Sequence, residues 1–245
     1  MNRKLGLMIF GLIAVPLGSG CFLIPQDAVE VIKDELPQSK NTLQINAVAD
    51  GSGKTHVIAC VADPIVCRNA DGPFAAMIDT GAAVDMPFVV DFSEPDGAKV
   101  GRFQGDVTGD AAESTLTVMR NGEAATKSTV SLPVPPAITA PMEGATLSLA
   151  TDQIKLAWDK DGSDQMEWGA SVECPTGISE IGATTIPDTG EVIIDPAKLN
   201  LKTGETCKVA LHLTRLRDGT IEKAFEGNGL ITVKQTRSVT INVAP

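Results

Sequence analysis

The sequence is poor in aromatic residues. It has no tyrosine and two tryptophans, and aromatic residues make up 4% of its 245 positions. Carbohydrate-binding modules stack sugar rings on exposed aromatic side chains, so this composition leaves Trp168 as the one candidate for such a platform.

Positive charge is also scarce. Lys and Arg number 20 against 31 Asp and Glu, which gives a formal net charge of -11. No run of Lys or Arg interrupts this acidic background. Because a nucleic-acid backbone binds clustered positive charge, the composition excludes nucleic acid as an expected partner. The hydrophobic content of 43% is that of a globular chain.

No apolar run is long enough to cross a bilayer. The longest, residues 5–17, falls well short of the roughly 20 residues that a transmembrane helix needs. It follows Arg3 and Lys4 and precedes a group of small residues. This pattern predicts a secretory signal peptide over residues 1–20.

Cys21 directly follows the small residues Gly18, Ser19 and Gly20. The segment resembles the lipobox of bacterial lipoproteins, in which the cysteine carries lipid as diacylglycerol and palmitate. The resemblance implies a membrane-anchored protein of the cell envelope, and Phe22 in place of Asp implies the outer rather than the inner membrane. Gly18 stands where the lipobox usually has Leu. Gly18 and Gly20 also satisfy ordinary signal peptidase, so a soluble exported protein is the alternative.

The cysteine count bears on this choice. Exported proteins form disulfides, and five cysteines leave one thiol over unless lipid occupies Cys21. The remaining four allow three pairings, and their spacing favours Cys60–Cys67 and Cys174–Cys207, because each pair then lies inside one expected domain. A zinc site is the other reading, but paired C-x-x-C spacing is missing.

The chain after the signal peptide divides into a stalk and two domains. Residues 21–41 are expected to hold one short helix, because Asp27 and Glu30 have capping-box spacing and Pro37 follows. From Thr42 onward, short runs rich in Val, Ile and Thr alternate with Gly, Asp and Asn clusters, which predicts an all-β fold. Four prolines in 133–141 indicate a stiff linker.

We therefore expect two tandem antiparallel immunoglobulin-like β-sandwiches, over 42–135 and 136–245. Internal matches point to a duplication. Three pairs of segments share one offset, and a fourth pair has a shorter one, which predicts a longer final hairpin in the second copy. The first three are 130–136 with 239–245, 45–50 with 154–159, and 79–81 with 188–190, and the fourth is 116–122 with 213–219.

The start of the second copy supports this architecture. Residues 141–144 lead into 154–158, an alternating run with Trp158 on one face. It resembles the early strands of fibronectin type III and related bacterial immunoglobulin-like domains. The resemblance implies a sandwich with Trp158 in its core, although the corner tyrosine of those families is absent.

The repeated Asp-Thr-Gly is the first motif with possible chemistry. The segment 76–82 looks like the active-site motif of aspartic proteases, and Asp79 with Asp188 would supply two carboxylates sharing a proton. Pro187 and Glu191 depart from that motif, however, and Pro-Asp-Thr-Gly suits a type I turn. A pair of structural turns is the preferred interpretation, and an aspartic-type hydrolase is the alternative.

A second motif is the acidic turn, residues 159–164. Asp159, Asp161, Ser163 and Asp164 offer the oxygen ligands that calcium prefers, without the EF-hand pattern. A solvated turn is preferred, and a calcium-dependent adhesion module is the alternative. No other cofactor is expected.

Residues 51–55 imitate the end of a phosphate-binding loop, but Val48 stands where that loop needs Gly, so a hairpin turn is predicted. His56 and His212 are predicted on strands, with no nucleophile elbow beside either. Together these features predict a non-enzymatic envelope lipoprotein that acts as a binding or scaffold module through sandwich loops or edges, with an envelope protein as partner.

Overall fold

The structure, a computed structural model, describes residues 42–62, 73–93, 99–120, 128–162, 164–221 and 229–245. These residues form sixteen β-strands and a short 3-10 helix, Pro196–Leu199, and they include no α-helix. The signal peptide, Cys21 and the expected stalk helix lie outside them. The strands before the linker are β1 Thr42–Ala49, β2 Lys54–Ala62, β3 Phe74–Ile78, β4 Val84–Met86, β5 Phe88–Ser93, β6 Lys99–Thr108, β7 Thr115–Arg120 and β8 Ser128–Ser131.

The remaining strands follow in the second half of the chain. They are β9 Ile138–Ala140, β10 Thr146–Ser148, β11 Ile154–Trp158, β12 Gln165–Cys174, β13 Gly177–Ile186, β14 Glu191–Ile194, β15 Cys207–Ile221 and β16 Leu230–Ala244. The all-β prediction is confirmed. No helix of the described residues has the length and apolarity to cross a membrane.

Strands β1 to β8 form the first sandwich. One sheet has the order β1-β2-β6-β5 and the other β4-β3-β7-β8, with all of these neighbours antiparallel. Strict alternation sets which side chains point inward: Leu43 and Ile45 are buried while Gln44 and Asn46 are exposed. Inward side chains of both sheets, Phe74 among them, share one core.

Strands β9 to β16 form the second sandwich. Its sheets are β9-β11-β14 and β13-β12-β15-β16, and β10 joins β16 in parallel. Both strand orders are those of an immunoglobulin-like sandwich. Trp158 and Trp168 are 4% and 3% exposed in its core. The core position of Trp158 is thus confirmed, whereas Trp168 is no exposed platform for a sugar, because it packs in the same core.

The last hairpin belongs to both sandwiches. β15 and β16 are 15 residues long each, which confirms the longer final hairpin. One end lies in the second sandwich. At the other end Thr220 and Ile221 pair with β8, and β16 pairs in parallel with β1 from Gln44↔Leu230 to Ala49↔Gln235. Ile231 and Val233 consequently pack in the core of the first sandwich.

The internal matches are only partly explained by this topology. Of the matched segments, residues 116–120 and 213–219 lie on β7 and β15, and the pair 130–136 and 239–245 starts on β8 and β16, which hold equivalent places. The match of 45–50 with 154–159 instead relates β1 to β11, which are not equivalent. Its physical basis is the shared alternation of half-buried strands.

A disulfide joins two neighbouring strands of the second sandwich. Cys174 and Cys207 face each other at the ends of β12 and β15, with Cα atoms 4.3 Å apart. This pairing matches the prediction, and the chain-entropy argument assigns it about 4 kcal/mol of stability. Cys60 is disulfide-bonded as well, while Cys67 lies outside the described residues.

The shared hairpin yields a matched pair of variants. Ile231 and Ile241 are both fully buried on β16, the former in the first core and the latter in the second. We expect Ile231→Ala and Ile241→Ala each to cost about 2–5 kcal/mol because each leaves a cavity. In hydrogen exchange, Ile231→Ala should reduce protection chiefly in β1 and β2, and Ile241→Ala in β12 and β15. Unchanged protection of β1 in Ile231→Ala would contradict the shared hairpin.

Candidate functional site

A band of polar side chains crosses the inward face of the shared hairpin. Along β15 and β16 the buried residues are apolar at both ends, but the middle positions are Arg215, Arg217, Gln235 and Arg237. We call these four residues the polar seam. They lie where the first core ends and the second begins, and their partners come from both sandwiches.

Arg215 and Asp188 form the buried centre of the seam. Their side chains are 1% and 5% exposed, with Arg215 Nη2 3.5 Å from Asp188 Oδ2. The guanidinium also donates to the carbonyls of Val134, in the linker, and Asp159, at 2.9 and 3.1 Å. Its Nε is buried and has no hydrogen-bond partner among the described residues. Arg215 therefore ties the linker to the second sandwich.

Asp188 gathers donors from three directions. Its carboxylate accepts from Trp158 Nε1 at 2.7 Å and from the backbone amides of Asp161 and Gly162 at 2.9 and 2.6 Å. Burial alone would raise the pKa of Asp188. The three hydrogen bonds and the charge of Arg215 outweigh burial, so the pKa lies below its ordinary value and the group is ionised at neutral pH. The carboxylate holds the acidic turn against the core.

Asp79 occupies a different kind of turn. It has φ +50° in the β3–β4 turn, which the Gly81 amide closes on the Ile78 carbonyl. Its carboxylate accepts from the Thr115 amide at 2.7 Å. In the Asp188 segment the Thr189 amide instead bonds the Pro187 carbonyl, a three-residue turn rather than the expected type I turn. The turn differs because Arg215 and Trp158 bind the Asp188 carboxylate.

The two Asp-Thr-Gly segments are therefore not the same turn repeated. One joins β3 to β4 and the other β13 to β14, which are not equivalent places in the two sandwiches. An aspartic-protease dyad needs two carboxylates that share a proton. Asp79 and Asp188 lie in different sandwiches and each has its own set of donors, so the geometry lends this alternative no support.

Arg217 bridges the two sandwiches through carboxylates on either side. It donates to both oxygens of Asp164 at 2.9 and 2.8 Å and to both oxygens of Glu113 at 3.0 Å. Glu113 belongs to the loop between β6 and β7. The hydrogen bonds to Asp164, and after them those to Glu113, raise the pKa of Arg217. A bidentate pair of this kind fixes orientation as well as charge.

Part of the acidic turn is bound by other groups of the protein. The Asp164 side chain is 6% exposed and bound by Arg217, and the Asp161 amide donates to Asp188. Ser163 lies outside the described residues. In the described part of the chain, one group of three possible metal ligands lies within 4.8 Å: Cys174, Glu205 and Cys207. Two of these are the disulfide. The described residues of the acidic turn form no such group.

Residues 51–53 form the β1–β2 hairpin turn, as predicted. The Ser52 amide donates to Asp50 Oδ1 at 3.0 Å, and Gly51 and Gly53 have φ +92° and +83°. The side-chain and backbone hydrogen bonds of Ser52 lower the pKa of Asp50. The Gly53 amide is bound by Asp110 rather than facing an open phosphate cradle.

Both histidines lie on strands, as predicted. His56 Nδ1 is 2.7 Å from Asp106 Oδ1 across β2 and β6, on an exposed surface. His212 lies in a polar row across the outer face of the second sandwich. Its Nδ1 is 2.7 Å from Ser238 Oγ and its Nε2 3.3 Å from Ser171 Oγ.

This row is not arranged as a catalytic triad. Ser171 donates its hydroxyl hydrogen to Glu180 Oε2 at 2.6 Å. In a triad the serine donates to the histidine and the acid orients that histidine. Burial lowers the pKa of His212, partly opposed by Glu180. The row instead links β13, β12, β15 and β16 by side-chain hydrogen bonds.

β13 is an edge strand of the second sandwich. Among the described strands it pairs with β12 alone, and most of its side chains are exposed. Ile178 is 74% exposed. The sequence analysis did not predict this edge, although the low charge of residues 177–186 is visible in the sequence.

No protein-family model matches this chain, and no curated protein does either. Among solved structures, it is similar to a chain described as "Cytokine receptor complex - Crystal form 2", at 12% identity with a TM-score of 0.26, over 76% of this chain and 96% of that chain. A likeness of this size carries no inference about function.

Removing the buried carboxylate should destabilise the fold in a pH-dependent way. Asp188→Asn leaves Arg215 buried without its counter-charge, and we expect it to cost about 3–5 kcal/mol at pH 7. Because the folded pKa of Asp188 is lowered, its stabilisation is present above the unfolded pKa and is lost as pH falls through the folded value. In urea titrations the gap between wild type and Asp188→Asn should stay level from about pH 7 to 5 and narrow below about pH 4.

Asp79→Asn is the matched control, since the amide oxygen of Asn can still accept from the Thr115 amide at this exposed turn and the variant should cost about 1 kcal/mol or less. If Asp188→Asn were no more destabilising than Asp79→Asn at pH 7, the role of Asp188 as centre of the seam would be refuted.

Calcium should not stabilise the protein. Both oxygens of Asp164 are bound by Arg217, so a cation would have to displace a guanidinium. We expect melting temperatures in about 5 mM calcium and in chelator to agree, because a ligand raises stability only when it binds the folded state. A rise with calcium that disappears in Asp161→Ala would establish the calcium alternative instead.

Proposed function

We propose that the protein is a non-enzymatic lipoprotein of the cell envelope that binds a protein partner by adding a strand of that partner to β13. Cys21 carries the lipid anchor, and the outer membrane is favoured over the inner. The exposed edge of β13 is the observation that carries the binding role. The signal-peptide pattern before Cys21 supports the location.

The composition of β13 supports strand addition. Proteins protect long strand edges with lysine, proline or very short strands. β13 has 10 residues without lysine, arginine or proline, and Glu180 is its single charge. Three other outer strands of the second sandwich, β9, β10 and β14, are 3 to 4 residues long. β13 is thus the one long, nearly uncharged edge that this sandwich offers among its described strands.

The occupant would be an extended segment of an envelope protein, rich in β-branched residues. Main-chain hydrogen bonds to the outer edge of β13 would provide affinity, and pockets beside alternate side chains would provide specificity. Ile178 is the apolar anchor available for this, because it projects from the strand and is 74% exposed. The disulfide joins β12, the strand that pairs with β13, to β15 in the same sheet.

The test places a photo-crosslinking amino acid at position 178 and, as control, at position 193 in the full-length protein in its native envelope. Ile193 is also an exposed isoleucine, 57% accessible, but on the short strand β14. We expect one partner to crosslink at 178 and not at 193, through an extended segment identified by mass spectrometry. Ile178→Lys should abolish capture, because an edge lysine blocks strand pairing.

Met142→Lys is the matched charge control, since Met142 is 80% exposed and lies outside the strands. Equal capture by wild type and Ile178→Lys would reject β13 as the binding edge.

The same preparation also tests the lipid anchor. A diacylated Cys21 peptide would support anchoring, and an unmodified N-terminus would reject it without bearing on β13.

A further inference from the structure

The two sides of the first sandwich are bordered by different strands. The shared hairpin bridges β8 and β1 and so closes one side. The outer strands on the opposite side are β4 and β5, which belong to different sheets and are joined by Pro87 alone. Between them is a cleft of about 560 Å³.

Three phenylalanines line this cleft. Phe74 and Phe103 are core residues, 2% and 3% exposed, and Phe88 is half-buried. Both Phe74 and Phe88 have ring centroids 4.9 Å from that of Phe103. The aromatic wall is therefore packed from behind and preformed, with Met86 beside it.

A carboxylate also lies at this cleft. Asp85 is exposed on β4 and lines the cleft with the phenylalanines. Within the described residues, it has no hydrogen bond or ion pair. Other carboxylates of this sandwich are engaged: Asp91 binds Arg102, and Asp106 binds His56.

Aromatic faces next to a carboxylate attract cations, and one ring of the cleft already does so. The Arg120 guanidinium carbon lies 5.9 Å from the centroid of Phe74. The formal charge of -11 adds a long-range attraction for positive groups. We propose that the cleft binds an arginine side chain of a partner protein, with the guanidinium directed to Asp85 and the stem against Phe88 and Met86. This site is separate from β13 and does not depend on it.

The test compares two small probes that differ in charge but hardly in shape, the N-acetyl amides of arginine and of citrulline. Binding is followed on the full chain by the methyl NMR signal of Met86, with the exposed Met142 as internal reference. We expect the arginine probe to shift Met86 in a saturable way and to bind about tenfold more tightly than the citrulline probe, because only the arginine probe carries a charge that can pair with Asp85.

Asp85→Asn should remove the difference between the probes, and because Asp85 is exposed this variant is expected to fold. Phe88→Ala, at the rim of the cleft, should weaken both probes. Equal affinity of the two probes for the wild type would overturn the proposal. So would an undiminished preference for arginine in Asp85→Asn, or a Met86 signal that does not respond to either probe.

Discussion

The structure depends on one unbroken antiparallel pairing, that of β15 with β16. It runs from Cys207↔Val243 to Gly219↔Ile231, and each half serves a different core. Strands that alternate inward and outward keep the same face along their whole length. A single hairpin can therefore be the central pair of one sandwich and the closing pair of another, provided that its inward side chains change character where one core gives way to the next.

The polar seam marks that change. Isolated buried arginines would be costly, but carbonyls and carboxylates from the linker, the acidic turn and the β6–β7 loop surround Arg215 and Arg217. Gln235, fully buried, donates to the Asp110 carbonyl in the same way. Such contacts have strict directions, so they fix how the two sandwiches sit against each other, whereas two apolar surfaces could slide.

Much of the fold could be predicted from local sequence patterns, but most of the polar seam could not. Alternation predicted the strands, cysteine spacing predicted Cys174–Cys207, and the shorter offset predicted the long hairpin. The burial of Asp188 was missed because Pro-Asp-Thr-Gly has the same local preference whether its carboxylate faces water or an arginine. That arginine is 27 positions away in sequence. The acidic turn was read as solvated or calcium-binding for the same reason, since Arg217 is 53 positions from Asp164.

The shared hairpin also sets the order in which the molecule can assemble. Gln44 pairs with Leu230, so the edge of β1, which is synthesised early, is covered only when β16 has been synthesised near the end of the chain. Until then the edges of β1 and β8 are bare and open to other chains. Pairings so distant in sequence form slowly because a long loop must close first. A chain with this topology gains from a chaperone that shields strand edges while the rest of the polypeptide arrives.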